Sequence, residues 1–211
     1  MAGSIITIAQ QKGGSGKTTL AVNLAVAARR AGQTVAVIDT DPQGSLGRWF
    51  MTRLDRMDGE PDMDFSTSSA WGVGYEVGKL ARENDLVIID TPPKVDSDLK
   101  PALRAADLVL VPVATSHVDL WATEGVLDLA DRVSIPTLLV LNRTRAGTRL
   151  GAEVAQAAAE TAADLAEAQL ANRIVYAETL GQGLGAQESP KRGPAQSEVD
   201  ALLAEVLSRL N

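Results

Sequence analysis

The sequence predicts an α/β fold with a mostly parallel central sheet and helices on both faces. Three observations carry that expectation. Strand-like runs recur at Ile5 to Ala9, Thr34 to Ile38, Leu86 to Ile89, Leu108 to Val113 and Thr137 to Leu141, separated by helical patterns. Such alternation is what parallel strands joined by crossover helices produce. Each run is nearly all apolar, as strands covered on both faces require. Finally, the first run leads straight into a glycine-rich loop and then an alanine-rich helix, a strand-loop-helix unit.

Composition sets the bounds. At 211 residues with 45% apolar content, the chain suits a single domain spanning 1–211 with a sizeable core. Aromatic residues make up 3%, so that core must be built from Ala, Val, Leu and Ile. The sequence has no cysteine, which excludes disulfides, thiolate metal sites and iron-sulfur clusters. The longest strongly apolar run, Leu108 to Ala114, falls far short of the roughly 20 residues a membrane span needs. The N-terminus enters a strand with no charged region and apolar stretch before it, so a soluble, cytoplasmic protein without a membrane partner is expected. A net charge of −7 argues against a uniformly basic nucleic-acid surface and favours a partner with a basic segment.

The loop after the first strand reads Gln11-Lys12-Gly13-Gly14-Ser15-Gly16-Lys17-Thr18-Thr19. Gly16, Lys17 and Thr18 fit the end of the phosphate-binding pattern G-x-x-x-x-G-K-[ST], in which backbone amides cradle phosphate, the lysine reaches the β- and γ-phosphates and the hydroxyl holds Mg²⁺. The first glycine of that pattern is replaced by Gln11, and a second lysine, Lys12, stands in the loop. The helix from Leu20 to Arg30 would place its N-terminus against phosphate. The second strand is followed by Asp39-Thr40-Asp41-Pro42-Gln43, and its carboxyl end faces the ligand crevice of an open α/β sheet. Asp41 is the candidate for positioning water, with Asp39 supporting the metal.

Between Met57 and Ser69 the chain is polar and broken by Gly59 and Pro61, an irregular excursion with a short edge strand near Met63 to Phe65. The third strand ends Val87-Ile88-Ile89-Asp90, four apolar residues and an acid, the form that holds Mg²⁺ through water. A lone Asp after a strand is usually a turn or cap residue, but three acids on two strands flanking the loop are harder to dismiss. Pro112 implies that the fourth strand is interrupted or nearly finished there. His117 is expected in a loop, and Trp49, Trp71 and Trp121 as packing or interface anchors. Arg145 and Arg149 open a helix expected to run to about Ala171. The segment Gly181 to Gly193 reads as mobile surface. Val199, Leu202, Leu203, Val206, Leu207 and Leu210 form one helical stripe for packing against the sheet, opposite Glu198, Asp200 and Glu205.

Together, Lys12-Gly13-Gly14-x-Gly16-Lys17-Thr18-Thr19, Asp39-x-Asp41-Pro42-Gln43 and an apolar strand ending Asp90-Thr91-Pro92-Pro93 resemble the ParA/MinD superfamily of deviant Walker A P-loop ATPases. Asp39 to Leu46 followed by Trp49, with no N-terminal helix-turn-helix extension, is similar to the small ParA-type partition proteins. The resemblance implies an ATPase, weak alone and stimulated by a partner, that uses ATP and Mg²⁺. It implies that Lys12 crosses the interface of an ATP-bound homodimer to the other subunit's phosphate, while Lys17 and Thr18 serve phosphate and metal in their own subunit. Asp41 and Asp90 would lie in the two switch loops. Asn142, with Arg143 after the strand Thr137 to Leu141, would offer its amide to adenine.

The family resemblance further implies sequence-blind DNA binding by late basic residues, here Arg143, Arg145, Arg149, Arg173, Lys191 and Arg192, and association with the nucleoid. Glu153, Glu160, Asp164 and Glu167 are expected on the same helix as Arg149, so the basic patch must be local. The expected partner is a centromere-binding adaptor of ParB type, the cargo being plasmid or chromosomal DNA. The alternative is a sibling that positions protein cargo, chemotaxis clusters or carboxysomes, on the nucleoid through a cargo adaptor with a basic segment. A P-loop amidoligase or biotin-pathway synthetase would need neither Lys12 nor Asp-Pro-Gln, and the acidic last helix disfavours a membrane-bound regulator.

Overall fold

A computed structural model of the chain describes residues 2–93 and 99–210. In chain order the elements are β1 (Ser4–Ile8), α1 (Lys17–Arg30), β2 (Val35–Asp39), α2 (Ser45–Arg56), β3 (Asp64–Thr67), α3 (Val73–Leu80), β4 (Leu86–Asp90), α4 (Leu99–Ala105), β5 (Leu108–Ala114), α5 (His117–Trp121), α6 (Glu124–Asp131), β6 (Thr137–Thr144), α7 (Arg149–Ala159), β7 (Asp164–Leu165), β8 (Leu170–Ala171), α8 (Ile174–Leu180) and α9 (Pro194–Leu210). The strands form one sheet in the order β3-β2-β4-β1-β5-β6-β7, with β8 also pairing to β6, and every pairing is parallel.

Alternate residues of each strand feed opposite faces, because successive side chains of a strand point to opposite sides. Ile6, Ile8, Val35, Val37, Leu86, Ile88, Leu108 and Leu110 pack with α1, α2, α8 and α9. On the other face Ala36, Ile38, Val87 and Ile89 meet α3, while Val109, Val111, Val113, Leu139 and Leu141 meet α6 and α7. Helix α1 is enclosed along its length: every residue from Leu20 to Ala28 is buried. Its alanine content lets it sit close to the sheet on one side and to α9 on the other. The stripe expected on the last helix is real, with Val199, Leu202, Leu203 and Val206 buried on this face.

Four expectations need correction. Helix α7 stops at Ala159; Asp164 and Leu165 form the edge strand β7, so Asp164 and Glu167 do not share a helix with Arg149. Alanine-rich periodicity carried the sequence reading through a turn that tertiary pairing imposes. Pro112 does not interrupt β5, which finishes two residues later at Ala114. Pairing to β1 reaches only Leu110, because β1 leaves the sheet beyond Ile8, so the missing N–H has no ladder partner to lose. Instead the Pro112 carbonyl accepts from Gln10 Nε2 at 3.2 Å. His117 begins α5 rather than lying in a loop. The segment from Gly181 to Gly193 is fixed to the body: Ala186 is fully buried, and a Cβ at Gly185 would lie 2.8 Å from the Val26 side chain. Among the described residues no helix is long and apolar enough to cross a membrane.

Candidate nucleotide site

The carboxyl ends of β1, β4 and β2 bring the conspicuous residues together at the crevice where strand order reverses. In register, Asp90 pairs with Ile8 on one side and Asp39 on the other. β4 therefore lies between β2 and β1, and Asp39 does not flank the loop directly. The loop after β1 turns through Gly14 at φ 75° and Gly16 at φ 97°, left-handed conformations that disfavour any side chain. A Cβ at Gly16 would also strike the Asn142 amide. Gly16 caps α1 with no side-chain hydrogen bond, and the first turn of α1 has no acid. Its amides and the positive end of its dipole are therefore left for an anion.

At the mouth of that loop Thr18 Oγ1 donates to Asp90 Oδ2 at 2.6 Å. Asp90 is 2% exposed, and its other oxygen, Oδ1, has no hydrogen-bond partner among the described residues. A buried, half-satisfied carboxylate beside a loop hydroxyl suits Mg²⁺, which takes one or two protein oxygens and completes its shell with water and phosphate. Burial pushes Asp90 up to about 7, with the Thr18 hydrogen bond opposing and the Asp39 charge adding to the shift. Lys17 is buried and donates to the Gln10 carbonyl at 3.2 Å. Burial lowers its pKa against the pull of Asp90 and Asp41.

Asp39, expected to support the metal, is engaged by two backbone amides. Its Oδ1 accepts from the Asp41 amide at 3.0 Å and its Oδ2 from the Gly47 amide at 2.8 Å. Through these bonds Asp39 shapes the loop that carries Asp41 and anchors the start of α2. Burial raises its pKa, while those amide bonds pull it back. Asp41 caps its own turn through the Gln43 amide at 2.9 Å. Thr40 donates from its hydroxyl at 2.9 Å and its amide at 3.0 Å to the Asp90 carbonyl, tying the loop to β4.

The raised carboxyls give a pH expectation. A folded-state value above the unfolded one means that folding takes up a proton, so this stability is complete below about pH 4 and is lost as pH rises to about 7. Without nucleotide, Tm should fall across that window by the equivalent of a few kcal/mol and level off above it. Asp90→Asn should flatten the profile, and Mg²⁺ with ATP should stabilise the protein more at pH 8 than at pH 5.5. Differential scanning fluorimetry at fixed ionic strength checks this.

Lys12 is placed differently from the other loop residues. Its Nζ lies 2.6 Å from Asp119 Oδ2, with the lysine side chain 39% exposed and the aspartate 8%. Asp119 sits in α5, and Ser116 caps that helix by accepting from the Asp119 amide while its hydroxyl donates to the carboxylate. Asn142, expected to face adenine, is buried and braces the phosphate loop: Nδ2 donates to the Ser15 carbonyl at 2.9 Å and Oδ1 accepts from the Arg143 amide at 2.9 Å. Arg143 takes a left-handed φ of 55° and points its side chain outward, exposed. Gly13 and Thr19 complete the loop and the first turn; the Thr19 carbonyl accepts from Asn23 Nδ2.

The basic residues fall into two groups rather than one patch. Arg145, Arg149 and Arg173 line a concavity of about 790 Å³ beside the start of α7. Arg192 lines a separate groove with Arg30 and Asp200, next to Lys191 in the chain. Arg173 is committed to Glu198 through Nε at 2.8 Å and Nη2 at 2.5 Å, and that carboxylate also accepts from Tyr176 and the Ala171 amide. It is a structural tie between β8 and α9. Arg149 pairs with Glu153 yet stays almost fully exposed. Of the tryptophans, Trp49 is buried, whereas Trp71 and Trp121 are 90% and 62% exposed.

Comparison with known proteins agrees with this geometry. Residues 6–185 match the family model of the CobQ/CobB/MinD/ParA nucleotide binding domain. The chain is 28% identical over 210 residues to the maintenance of carboxysome distribution protein A of Halothiobacillus neapolitanus, covering 96% of this chain and 95% of that one. It is 33% identical over 153 residues to the chromosome-partitioning ATPase Soj of Thermus thermophilus, covering 61% of each. The solved ATP complex of Cyanothece McdA superposes with a TM-score of 0.81 at 18% identity, covering 99% of this chain and 97% of that one.

Proposed function

Because the chain belongs to the CobQ/CobB/MinD/ParA nucleotide-binding family, we propose that it is a ParA-type ATPase whose site is completed by a second copy. ATP and Mg²⁺ bind at the loop, with Lys17 on the phosphates and Thr18 and Asp90 at the metal. The Asp41 carboxylate aims water at the γ-phosphate, and Lys12 reaches the phosphate of the partner subunit. The single observation that carries this reading is the pair of lysines in one loop with different surroundings. Lys17 is buried beside Asp90 at the loop mouth, whereas Lys12 is turned to Asp119 at the protein surface. A cation that is not needed by its own cradle is available to another, and charge developing on a transferring phosphoryl is stabilised by positive groups.

The ATP-bound dimer binds DNA without sequence preference through Arg145, Arg149, Lys191 and Arg192, and an adaptor with a basic segment accelerates hydrolysis. Segregation of plasmid or chromosomal DNA is one use of such a cycle, and relatives such as the Thermus partition ATPase support it. Positioning of protein cargo on the nucleoid is the other. It is favoured by the match to the Halothiobacillus carboxysome-distribution protein, which extends over nearly the whole of both chains. Size-exclusion chromatography with ADP, ATP or a non-hydrolysable analogue, with and without DNA, tests the common core. A dimer is expected with the analogue and not with ADP; a monomer throughout would reject the scheme. Changing Arg145, Arg149, Lys191 and Arg192 together to alanine should weaken DNA retention by roughly tenfold or more and shallow its salt dependence, with nucleotide affinity unchanged. An unaltered gel shift would remove these residues from the interface.

A further inference from the structure

Arg53 stands where α2 should have an apolar side chain. Leu46, Trp49, Phe50 and Arg53 form the buried face of that helix, and Arg53 is 4% exposed. All five of its N–H donors are used. Nε and Nη2 reach Asp62 Oδ1 and Oδ2 at 2.8 and 2.7 Å; Nη1 and Nη2 reach Glu188 Oε2 and Oε1 at 2.8 Å each; Nη1 also donates to the Gly183 carbonyl at 3.0 Å. The guanidinium lies over the Trp49 ring at 5.5 Å, and Trp49 Nε1 donates to the Leu184 carbonyl at 3.2 Å. Burial opposes the charge, but the two carboxylates more than offset it and the pKa is raised.

We propose that Arg53 is a positioning residue for ATP hydrolysis, fixing α2 against α1 so that the Asp41 loop keeps its place over the phosphate site. The inference rests on the ATPase reading above. One end of the linkage is the start of α2, where the Gly47 amide holds Asp39 and Asp39 holds the Asp41 amide. The other end is α1, which carries Lys17 and Thr18. Glu188 also accepts from the Gly185 amide at 3.0 Å, Gly185 packs on Val26, and the Ala186 amide donates to Asn23 Oδ1 at 2.8 Å. Val26 and Asn23 both belong to α1. Arg53 is thus the knot between the helix behind the phosphate loop and the helix in front of which the candidate water-positioning acid sits. A lysine could not replace it, since one ammonium cannot engage two carboxylates in bidentate fashion.

The two carboxylates predict different outcomes, because the Glu188 side chain is tied through Gly185 and Ala186 to Val26 and Asn23 in the body of α1, whereas Asp62 meets α1 only at its last turn, through its backbone carbonyl, which accepts from Arg29 Nε at 2.5 Å and is kept in Asp62→Asn. Asp62→Asn and Glu188→Gln remove the same charge from side chains of similar exposure, 17% and 18%. Stimulated or basal kcat, KM for ATP and Tm are measured for both, with Arg53→Lys and Asp41→Ala alongside, well below each Tm. Glu188→Gln and Arg53→Lys should lower kcat about five- to tenfold with KM for ATP within about twofold, as a small misplacement of a reacting group does. Asp62→Asn should lower Tm and leave kcat within about twofold. Equal kcat losses for the two carboxylate variants, or a Tm loss in Glu188→Gln with kcat unchanged, would reduce Arg53 to a stability element and overturn the proposal. If Asp41→Ala hydrolyses ATP normally, the reading beneath fails and the proposal with it. If only Asp41→Ala is slow, the Arg53 linkage alone is wrong.

Discussion

Asp41→Ala should bind ATP and Mg²⁺ and form the dimer, yet hydrolyse ATP roughly 100- to 1,000-fold more slowly, holding the protein on DNA. The magnitude is that of losing a positioned proton acceptor or water-orienting group. Two features of the site make Asp41 the residue to remove. Asp39 is 2% exposed and holds the Asp41 and Gly47 amides, so it is built into the loop rather than presented to water. Asp90 is likewise buried, against Thr18 at the loop mouth. Nucleotide binding should survive, because among the described residues no group of the phosphate loop hydrogen-bonds to the Asp41 side chain, which accepts from the Gln43 amide of its own turn. Single-turnover hydrolysis together with retention on DNA-coated surfaces measures both halves. Wild-type hydrolysis would move the water to another residue.

Lys12→Ala should leave ATP affinity within about threefold of wild type while abolishing ATP-dependent dimerisation and partner-stimulated turnover, a loss of about 10³-fold or more in stimulated kcat by analogy with cations supplied in trans to phosphoryl transfer. Among the described residues of the monomer Lys12 pairs with Asp119, at 2.6 Å. That contact ties the loop after β1 to α5, and it shares no hydrogen bond with the Thr18–Asp90 pair. Removing Lys12 therefore does not disturb the cradle, but it leaves Asp119 a carboxylate that is 8% exposed without its cation, so a modest fall in Tm is expected. Light scattering with a non-hydrolysable analogue decides the matter; normal dimers would reject the role. Lys17→Ala is the contrast, losing nucleotide affinity itself.

The sheet and the glycine-rich loop at its carboxyl edge were legible from sequence because each rests on local pattern. Apolar runs gave the strands, Gly14 and Gly16 the loop, and an acid after Val87-Ile88-Ile89 the carboxylate that meets Thr18 at the loop mouth. What escaped depends on partners distant in the chain. Asn142 reads as a strand-ending amide, but its partner, the Ser15 carbonyl, lies 127 residues away. Nothing near Asp39 announces that Gly47 will occupy it. The glycine- and glutamine-rich stretch before α9 looked mobile because its glycines were read as freedom; at Gly185 the reason is close approach to Val26. Arg53 could have been suspected, since a cation at the i+7 position of an apolar stripe that begins at Leu46 signals either an exposed face or a buried counter-charge. Its two partners, nine and 135 residues away, carry no local signal.

The Lys12–Asp119 contact has a consequence for how the protein responds to its own abundance. If Lys12 must leave Asp119 to act across an interface, the competent form is a minority species, and the apparent dissociation constant of the dimer is the intrinsic one divided by that fraction. Each 1.4 kcal/mol by which the ion pair holds its lysine raises tenfold the local density at which turnover begins. The protein would then read crowding: sparse copies idle with ATP in place, whereas copies gathered on one stretch of template cross the threshold together.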